Sequence, residues 1–412
     1  MKKNIPELRF PGFEGGWEEK RLGEVAVKVG SGSTPRGGEK VYQKQGVLFI
    51  RSQNVTGNKL DTKNSTFISS KMNEQMRGSQ VLSNDILLNI TGASIGRSCV
   101  VPDDFDAGNV NQHVCIIRLN KENTPYFTQA FLSSFSGQKK IMRTQVGGGR
   151  EGINFQGVRS LRIFFPKQNE QKKIAEFLGF VDEWIDNLKA QKEKWEEYKK
   201  GIMQKIFSQE IRFKDEGGGD FPEWEEKRLG DVGKFLKGKG ISKEDVVEGG
   251  DNKCIRYGEL YTEYDEIVDD VVSRTNVSAG SSFLSKVGDL LVPSSGETAW
   301  DIATATAVLE DGVLLGSDMN VLRFEQVIDS RFLAYYLSYG VKRLLARLAQ
   351  GNSVVHLYAS NLRKMRLLIP FIGEQQKIVS YLSPVDEIIG CYEQKIIRAE
   401  EWKKGLIQKM FV

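Results

Sequence analysis

From Val181 onward the apolar residues form a stripe: Val181, Trp184 with Ile185, Leu188, Trp195, Tyr198, Ile202 and Ile206, mostly three or four apart, with Lys, Glu and Gln between them. That spacing predicts one long amphipathic helix. It would hold about 27 residues and reach about 40 Å at about 1.5 Å per residue. A second stripe runs through Val385, Ile388 with Ile389, Tyr392, Ile396, Ala399, Trp402, Leu406 and Met410. One apolar stripe on an isolated helix is unstable in water and needs a partner. Each stripe is the obvious partner of the other in a coiled-coil-like pair. If the two halves of the chain are related by a pseudo-two-fold axis, the helices run antiparallel with globular units at their ends.

The rest of the chain has a different rhythm. Val47-Leu48-Phe49-Ile50, Ile86-Leu87-Leu88, Val114-Cys115-Ile116-Ile117 and Leu161-Arg162-Ile163-Phe164-Phe165 are short, apolar and rich in β-branched or aromatic residues. Further on come Asp289-Leu290-Leu291-Val292, Asn320-Val321-Leu322-Arg323-Phe324 and Arg366-Leu367-Leu368-Ile369. Such runs, separated by Gly, Ser and Asn, predict strands. A helix is expected before the last strand of each unit, over about 124–143 and about 329–349. The fold class is therefore α+β: two pseudo-symmetric, strand-rich domains separated by a pair of long antiparallel helices. The segments are 1–166, a central helical spacer 167–214, 215–370, and a C-terminal helical spacer 371–412.

The pseudo-symmetry comes from an internal repeat. Trp17-Glu18-Glu19-Lys20-Arg21-Leu22-Gly23-Glu24-Val25 returns as Trp224-Glu225-Glu226-Lys227-Arg228-Leu229-Gly230-Asp231-Val232, an offset of 207. Glu170-Gln171-Lys172-Lys173-Ile174, four residues after Pro166, returns at an offset of 204 as Glu374-Gln375-Gln376-Lys377-Ile378, four after Pro370. The same offset carries Lys199-Lys200-Gly201-Ile202-Met203-Gln204-Lys205-Ile206-Phe207 onto Lys403-Lys404-Gly405-Leu406-Ile407-Gln408-Lys409-Met410-Phe411. Between these flanks, 26–84 and 233–288 share little. A retained frame around two different inserts is what two similar modules reading two different things would show.

Composition narrows the chemistry. The 412 residues hold 58 basic and 54 acidic side chains for a net charge of +4, which permits nucleic-acid binding without demanding it. No run of about 18 apolar residues suggests a membrane span, and Met1-Lys2-Lys3-Asn4-Ile5-Pro6-Glu7 does not read as a signal peptide. The only histidines are His113 and His356, and Cys99, Cys115, Cys254 and Cys391 are scattered, so neither a zinc site nor a disulfide framework is expected. Gly238-Lys239-Gly240-Ile241-Ser242-Lys243 fails the spacing of a phosphate-binding loop. Pro102-Asp103-Asp104 lacks the acid-x-Lys that would complete a nuclease cluster, and no Asn/Asp-Pro-Pro-Tyr/Phe occurs. No catalytic or metal residue is assigned. The pattern is that of a recognition or scaffold protein whose chemistry lies on partners.

At this point the residues resemble the specificity (S) subunits of type I restriction–modification enzymes. The likeness rests on Trp-x-x-x-x-Leu-Gly opening each half and on Pro…Glu-Gln-x-x-Ile leading into each long helix. It rests also on Gly32-Ser33-Thr34-Pro35, Phe49-Ile50-Arg51-Ser52-Gln53-Asn54-Val55 and Asn111-Gln112-His113-Val114 in the first half. In the second half, Gly238–Lys243 and Pro293-Ser294-Ser295-Gly296-Glu297-Thr298 are similar to another variant of the domain. The resemblance implies two target-recognition domains, each reading one half of a split, asymmetric sequence in double-stranded DNA. It implies helices that dock two modification subunits, which methylate adenine N6 with S-adenosylmethionine, and two restriction subunits that use ATP and Mg. No cofactor is then expected on this chain, no membrane is involved, and the complex is cytoplasmic.

Base-edge and phosphate contacts need Arg, Lys, Asn, Gln, Ser and Thr on loops that reach a groove. In the first domain the candidates are Ser31, Ser33, Thr34, Arg36, Arg51, Gln53, Asn54, Thr91, Ser94, Arg97, Arg143, Arg150 and Asn154. In the second they are Lys237, Lys239, Lys243, Arg256, Tyr257, Ser294, Ser295, Thr298, Arg343, Arg347, Asn352 and His356. Trp184, Trp195, Tyr198, Tyr392 and Trp402 are candidates for a subunit interface, where aromatic residues are enriched. Residues 244–270 carry ten acids, and most of the stretch is expected to face away from DNA, with one carboxylate reading a cytosine amino group. A helical spacer near one turn of B-DNA, about 34–36 Å, would place the two domains on one face of a duplex. The competing reading is an assembly scaffold that reads no DNA; it explains the helices but not the divergent inserts.

Overall fold

The computed structural model of the chain describes residues 4–35, 37–145, 152–281, 283–325 and 327–412. Contacts group it into two units, Met1–Ala190 with Glu393–Val412, and Gln191–Tyr392. The sequence suggests four consecutive segments; contacts give two units because each long helix contributes to both.

The stripes do form helices, and longer ones than their apolar spacing predicts: Gln168–Phe207, with 40 residues, and Ile372–Met410, with 39. At about 1.5 Å per residue each is about 60 Å long. The added turns come from the Glu-Gln-x-x-Ile stretches, which are themselves the starts of the helices. Buried Gln171 accepts from the Thr124 N–H at 2.9 Å and donates to the Pro166 carbonyl at 2.9 Å. Gln375 repeats this with the Asp329 N–H and the Pro370 carbonyl, both at 2.9 Å. A buried amide that satisfies a strand end and a helix start together fixes where the helix begins. Among the described residues, no helix is long and apolar enough to cross a membrane.

The helices pair antiparallel. In the first unit Val181 and Ile185 pack on Ala399, and Lys403 bonds Asp182. In the second unit Lys199 meets Asp386 at 2.7 Å.

In the first unit, Glu18–Arg21 pairs antiparallel with Arg162–Phe165, tying the first repeat motif to the strand that precedes the long helix. One antiparallel sheet runs in the order Ala26–Ser31, Val114–Leu119, Ile86–Asn89, Ser98–Val100. A second runs Thr66–Ile68, Val47–Ile50, Gly108–Val110, Gln80–Val81, with Val47–Ile50 and Gly108–Val110 parallel. The second unit repeats the plan. Glu225–Arg228 pairs with Arg366–Ile369 in the same register. Its larger sheet runs Gly233–Lys237, Met319–Phe324, Asp289–Pro293, Thr306–Val308, Ile267–Val268, beside a sheet built on Asn252–Ile255 and Leu314–Leu315. Every strand named from sequence is present.

The helices expected at 124–143 and 329–349 are interrupted. The first divides into Pro125–Ser133 and Phe135–Arg143 because Ser134 turns extended and caps the second piece, its hydroxyl accepting from Gly137 N–H at 2.9 Å. The other runs Ser330–Tyr335, a π-turn Tyr336–Gly340, then Lys342–Arg347. The apolar periodicity continued across both breaks, and so did not show them.

Both cores lie between sheet, short helices and long helix. Trp17, Phe127, Phe131 and Phe411 pack ring to ring in one, and Trp224, Phe332, Tyr336 and Phe207 in the other. The two indole N–H groups donate to equivalent buried carboxylates, Glu170 at 3.3 Å and Glu374 at 3.2 Å. Each carboxylate also holds a guanidinium in a two-pronged grip: Arg9 with Glu170, and Arg212 with Glu374.

Candidate nucleic-acid interface

In each unit the candidate loops collect at one end of the strands. In the first unit these are the loop after Ala26–Ser31, the 3₁₀ turn Ser52–Asn54 after Val47–Ile50, the Thr91–Arg97 turn, and the Asn111–His113 turn leading into the central strand Val114–Leu119. They are bonded to one another. Thr34 Oγ1 donates to Gln112 Oε1 at 2.5 Å. Thr91 Oγ1 lies 2.5 Å from His113 Nδ1. Asn89 donates to the Ser52 carbonyl at 2.9 Å. Thr91 also bridges to Gly152, which brings the Asn154 segment to the same place.

Close packing of backbone makes this possible. Gly32 N–H donates to the Asn111 carbonyl, and a Cβ at Gly32 would sit 1.7 Å from the Val110 carbonyl oxygen. In the second unit Gly238 N–H donates to the Met319 carbonyl, and a Cβ at Gly238 would lie 1.9 Å from the Gly316 oxygen. Glycine is required at both positions by the approach of another backbone.

The individual candidates divide by how free they are. Ser33, Gln53 and Arg97 are exposed, and Ser31 and Ser94 are half-buried. Arg51 is half-buried; its Nε and the Oδ1 of Asn89 are buried without a partner among the described residues. Asn54 is buried and its amide holds its own turn, accepting from Arg51 N–H at 3.0 Å and donating to the Asp61 carbonyl at 2.9 Å. Asn154 caps the helix Phe155–Ser160. Arg143 is exposed at the end of its helix. Arg36 and Arg150 lie outside the described residues.

In the second unit Lys237, Lys239 and Lys243 are exposed on the strand end and loop at 237–243. Gly240 N–H donates to Ser317 Oγ at 3.1 Å, joining that loop to the turn before the central strand. Ser294 and buried Ser295 lie beside His356, since Ser295–Gly296 pairs with Val355–His356. His356 stacks on exposed Tyr358. Thr298 is held by Asp301 at 2.6 Å. Asn352, Arg343 and Arg347 are exposed on the adjoining segment. Arg256 is tied to Glu259 at 3.1 Å, and Tyr257 packs against a core cluster.

The acidic stretch 244–270 is not one solvated face. Glu259 is buried and takes Arg256 and Ser273. Glu266 is buried against Lys199 of the long helix at 2.7 Å. Burial pushes the Glu266 carboxyl up, with Lys199 opposing. Burial pulls the Lys199 ammonium down, but Glu266 and Asp386 outweigh it and the net shift is upward. The two faces of this lysine also meet the rings of Tyr335 and Tyr339 at 5.4 and 5.3 Å.

Among the interface aromatics, Trp184 and Trp402 meet edge to face at 6.2 Å, each 49% exposed. Tyr198 is exposed, packs on half-buried Trp195 and bonds the hydroxyl of Tyr381; Tyr392 is half-buried.

Gln112 and His113 were not among the candidates. The signal for them was their place behind Asn111, whose side chain accepts from the His113 N–H at 3.0 Å and forces a turn that presents Gln112.

The family model described as type I restriction modification DNA specificity domain matches residues 14–197 and again 222–401. A Methanocaldococcus jannaschii protein assigned as the type I restriction enzyme MjaX specificity subunit is 24% identical over 409 residues, covering 95% of this chain and 92% of that one. The Escherichia coli EcoBI specificity subunit is 27% identical over 151 residues, 36% of this chain and 31% of its own. The crystal structure of the type I restriction–modification S subunit from M. genitalium superposes with a TM-score of 0.61 at 16% identity, covering 99% of both chains. A chain from a study of complex assembly and conformational transition of the type I system gives 0.57 at 17% identity, covering 97% of this chain and 98% of that one. With the domain present twice, in the doubled frame of strands and long helices described above, the chain belongs to the family of type I restriction–modification specificity subunits.

Proposed function

We propose that this chain is the DNA-reading subunit of a type I restriction–modification complex, with each strand-rich domain reading one half of a bipartite, asymmetric target. The observation that carries the reading is the contrast between frame and tips. Gly32 and Gly238 pack their loops against equivalent turns before the central strands, yet the turns differ: Asn111-Gln112-His113 in one, Gly316-Ser317-Asp318 in the other. Packing alone would not preserve the support and change what it presents.

The long helices, with their half-exposed aromatic residues, are the surface for two modification subunits. Adenine N6 methylation with S-adenosylmethionine, and ATP- and Mg-dependent translocation and cleavage by two restriction subunits, belong to those partners. This chain supplies recognition and no catalytic group. Exchange of residues 26–160 for the equivalent segment of another family member tests the reading. One half of the methylated sequence is expected to change while the other stays. Change in both halves, or in neither, contradicts it.

A further inference from the structure

We propose that Gln112 is a base-reading residue of the first domain and that it recognises an adenine through its N6 and N7 edge. This rests on the reading that the domain binds DNA.

The argument starts from the turn between Gly108–Val110 and Val114–Leu119. Asn111 is buried; its N–H donates to the Ile50 carbonyl and its side chain holds the His113 N–H. The His113 carbonyl accepts from Ile90 N–H at 3.0 Å. The backbone of the turn is thus fixed from both sides, and Gln112, which is exposed, is held out at its tip.

Exposed glutamine side chains ordinarily sample many rotamers, at a cost on binding. Gln112 does not. Thr34 donates to its Oε1, and its Nε2 lies 3.1 Å from His113 Nε2. With Nε2 of the ring accepting, Nδ1 carries the hydrogen and donates to Thr91 Oγ1. The line Thr34, Gln112, His113, Thr91 is consistent in donors and acceptors from end to end.

A carboxamide has two acceptor positions and two donor hydrogens. The network uses one of each. What remains is one acceptor and one donor on a single planar group. That is the complement of the adenine edge in the major groove, where N6 donates and N7 accepts. Turning the amide over leaves the same remainder. Thr34 and His113 are positioning residues: they hold the amide and need not touch the base.

The test is genome-wide mapping of methyladenine in a strain carrying this chain with its modification subunits, compared with strains carrying Gln112→Ala or Thr34→Val. Gln112→Ala is expected to relax the preference for a single A·T pair in one half-site, by about tenfold or more. The other half-site is expected to stay unchanged. Thr34→Val, which frees the amide without removing it, is expected to relax the same pair more weakly. Purified Gln112→Ala is expected to melt with the parent, because its side chain is exposed. An unchanged motif, relaxation at a G·C pair, or a uniform loss of methylation with the motif intact overturns the proposal. Failure of the parent chain to direct any bipartite motif would instead overturn the function proposed above.

Discussion

Lys199 and Asp386 form an ion pair at 2.7 Å within the second unit, and 204 positions away in each case Lys403 and Asp182 form the same pair within the first. The repeat therefore survives as a repeated contact between the two long helices. Its surroundings differ: Lys199 also takes buried Glu266, whereas in the first unit a separate lysine, Lys59 in the two-strand hairpin of Val55–Thr56 and Lys59–Leu60, reaches Asp186.

Lys199→Met should destabilise the second unit by about 3 kcal/mol, because it leaves Glu266 buried without its cation. The effect has a sign in pH. The folded-state pKa of Glu266 is already raised, and loss of Lys199 raises it further. The unfolded chain then releases this proton first, so the variant should lose stability as pH climbs above about 4.5. Urea unfolding at several pH values measures this. A deficit that shrinks with rising pH would contradict the pairing.

Glu374→Ala and Glu170→Ala should each cost about 3 kcal/mol, equivalent to roughly 6–12 °C in melting temperature for units of this size. Each removes a carboxylate that holds an arginine and an indole N–H together. Arg212→Lys should not restore the parent, since an ammonium cannot make the two-pronged contact. Equal melting of parent and variants would show that these carboxylates are spectators.

Thiol chemistry gives a third check. Cys99, Cys115 and Cys254 are buried and Cys391 is exposed. Burial pushes the Cys99 and Cys115 thiols up to about 12 and Cys254 to about 11. A thiol reagent at pH 8 should modify Cys391 rapidly and the other three only on unfolding. The unfolded chain ionises its thiols near 9 while the folded one keeps these protons, so stability should fall as pH rises from about 9 toward 12. Rapid native-state labelling of all four would contradict the two cores.

The repeat made the frame legible because a duplicated sequence marks every element that both copies still need. Val181, Ile185 and Ala399 sit in the helix–helix seam that their spacing predicts. The helix starts were misplaced because Gln171 and Gln375 look like surface residues; their hydrogen bonds to a strand end, which no periodicity carries, bury them. The site was legible as loops and not as residues. Residue type marked Asn54 and Arg256 as candidates, yet both are engaged locally. Gln112 stood out only as part of the Asn111–Val114 motif, because the hydrogen bond that holds its amide comes from Thr34, 78 positions away.

The central claim is that one chain reads two different half-sites. Genome-wide methyladenine mapping in a strain that gains this chain together with its modification subunits tests it most directly. The account predicts a new methylated sequence with two unlike specific halves, one adenine modified in each, and an unread gap of fixed length between them. A single uninterrupted motif, two identical halves, or no new methylation would contradict it.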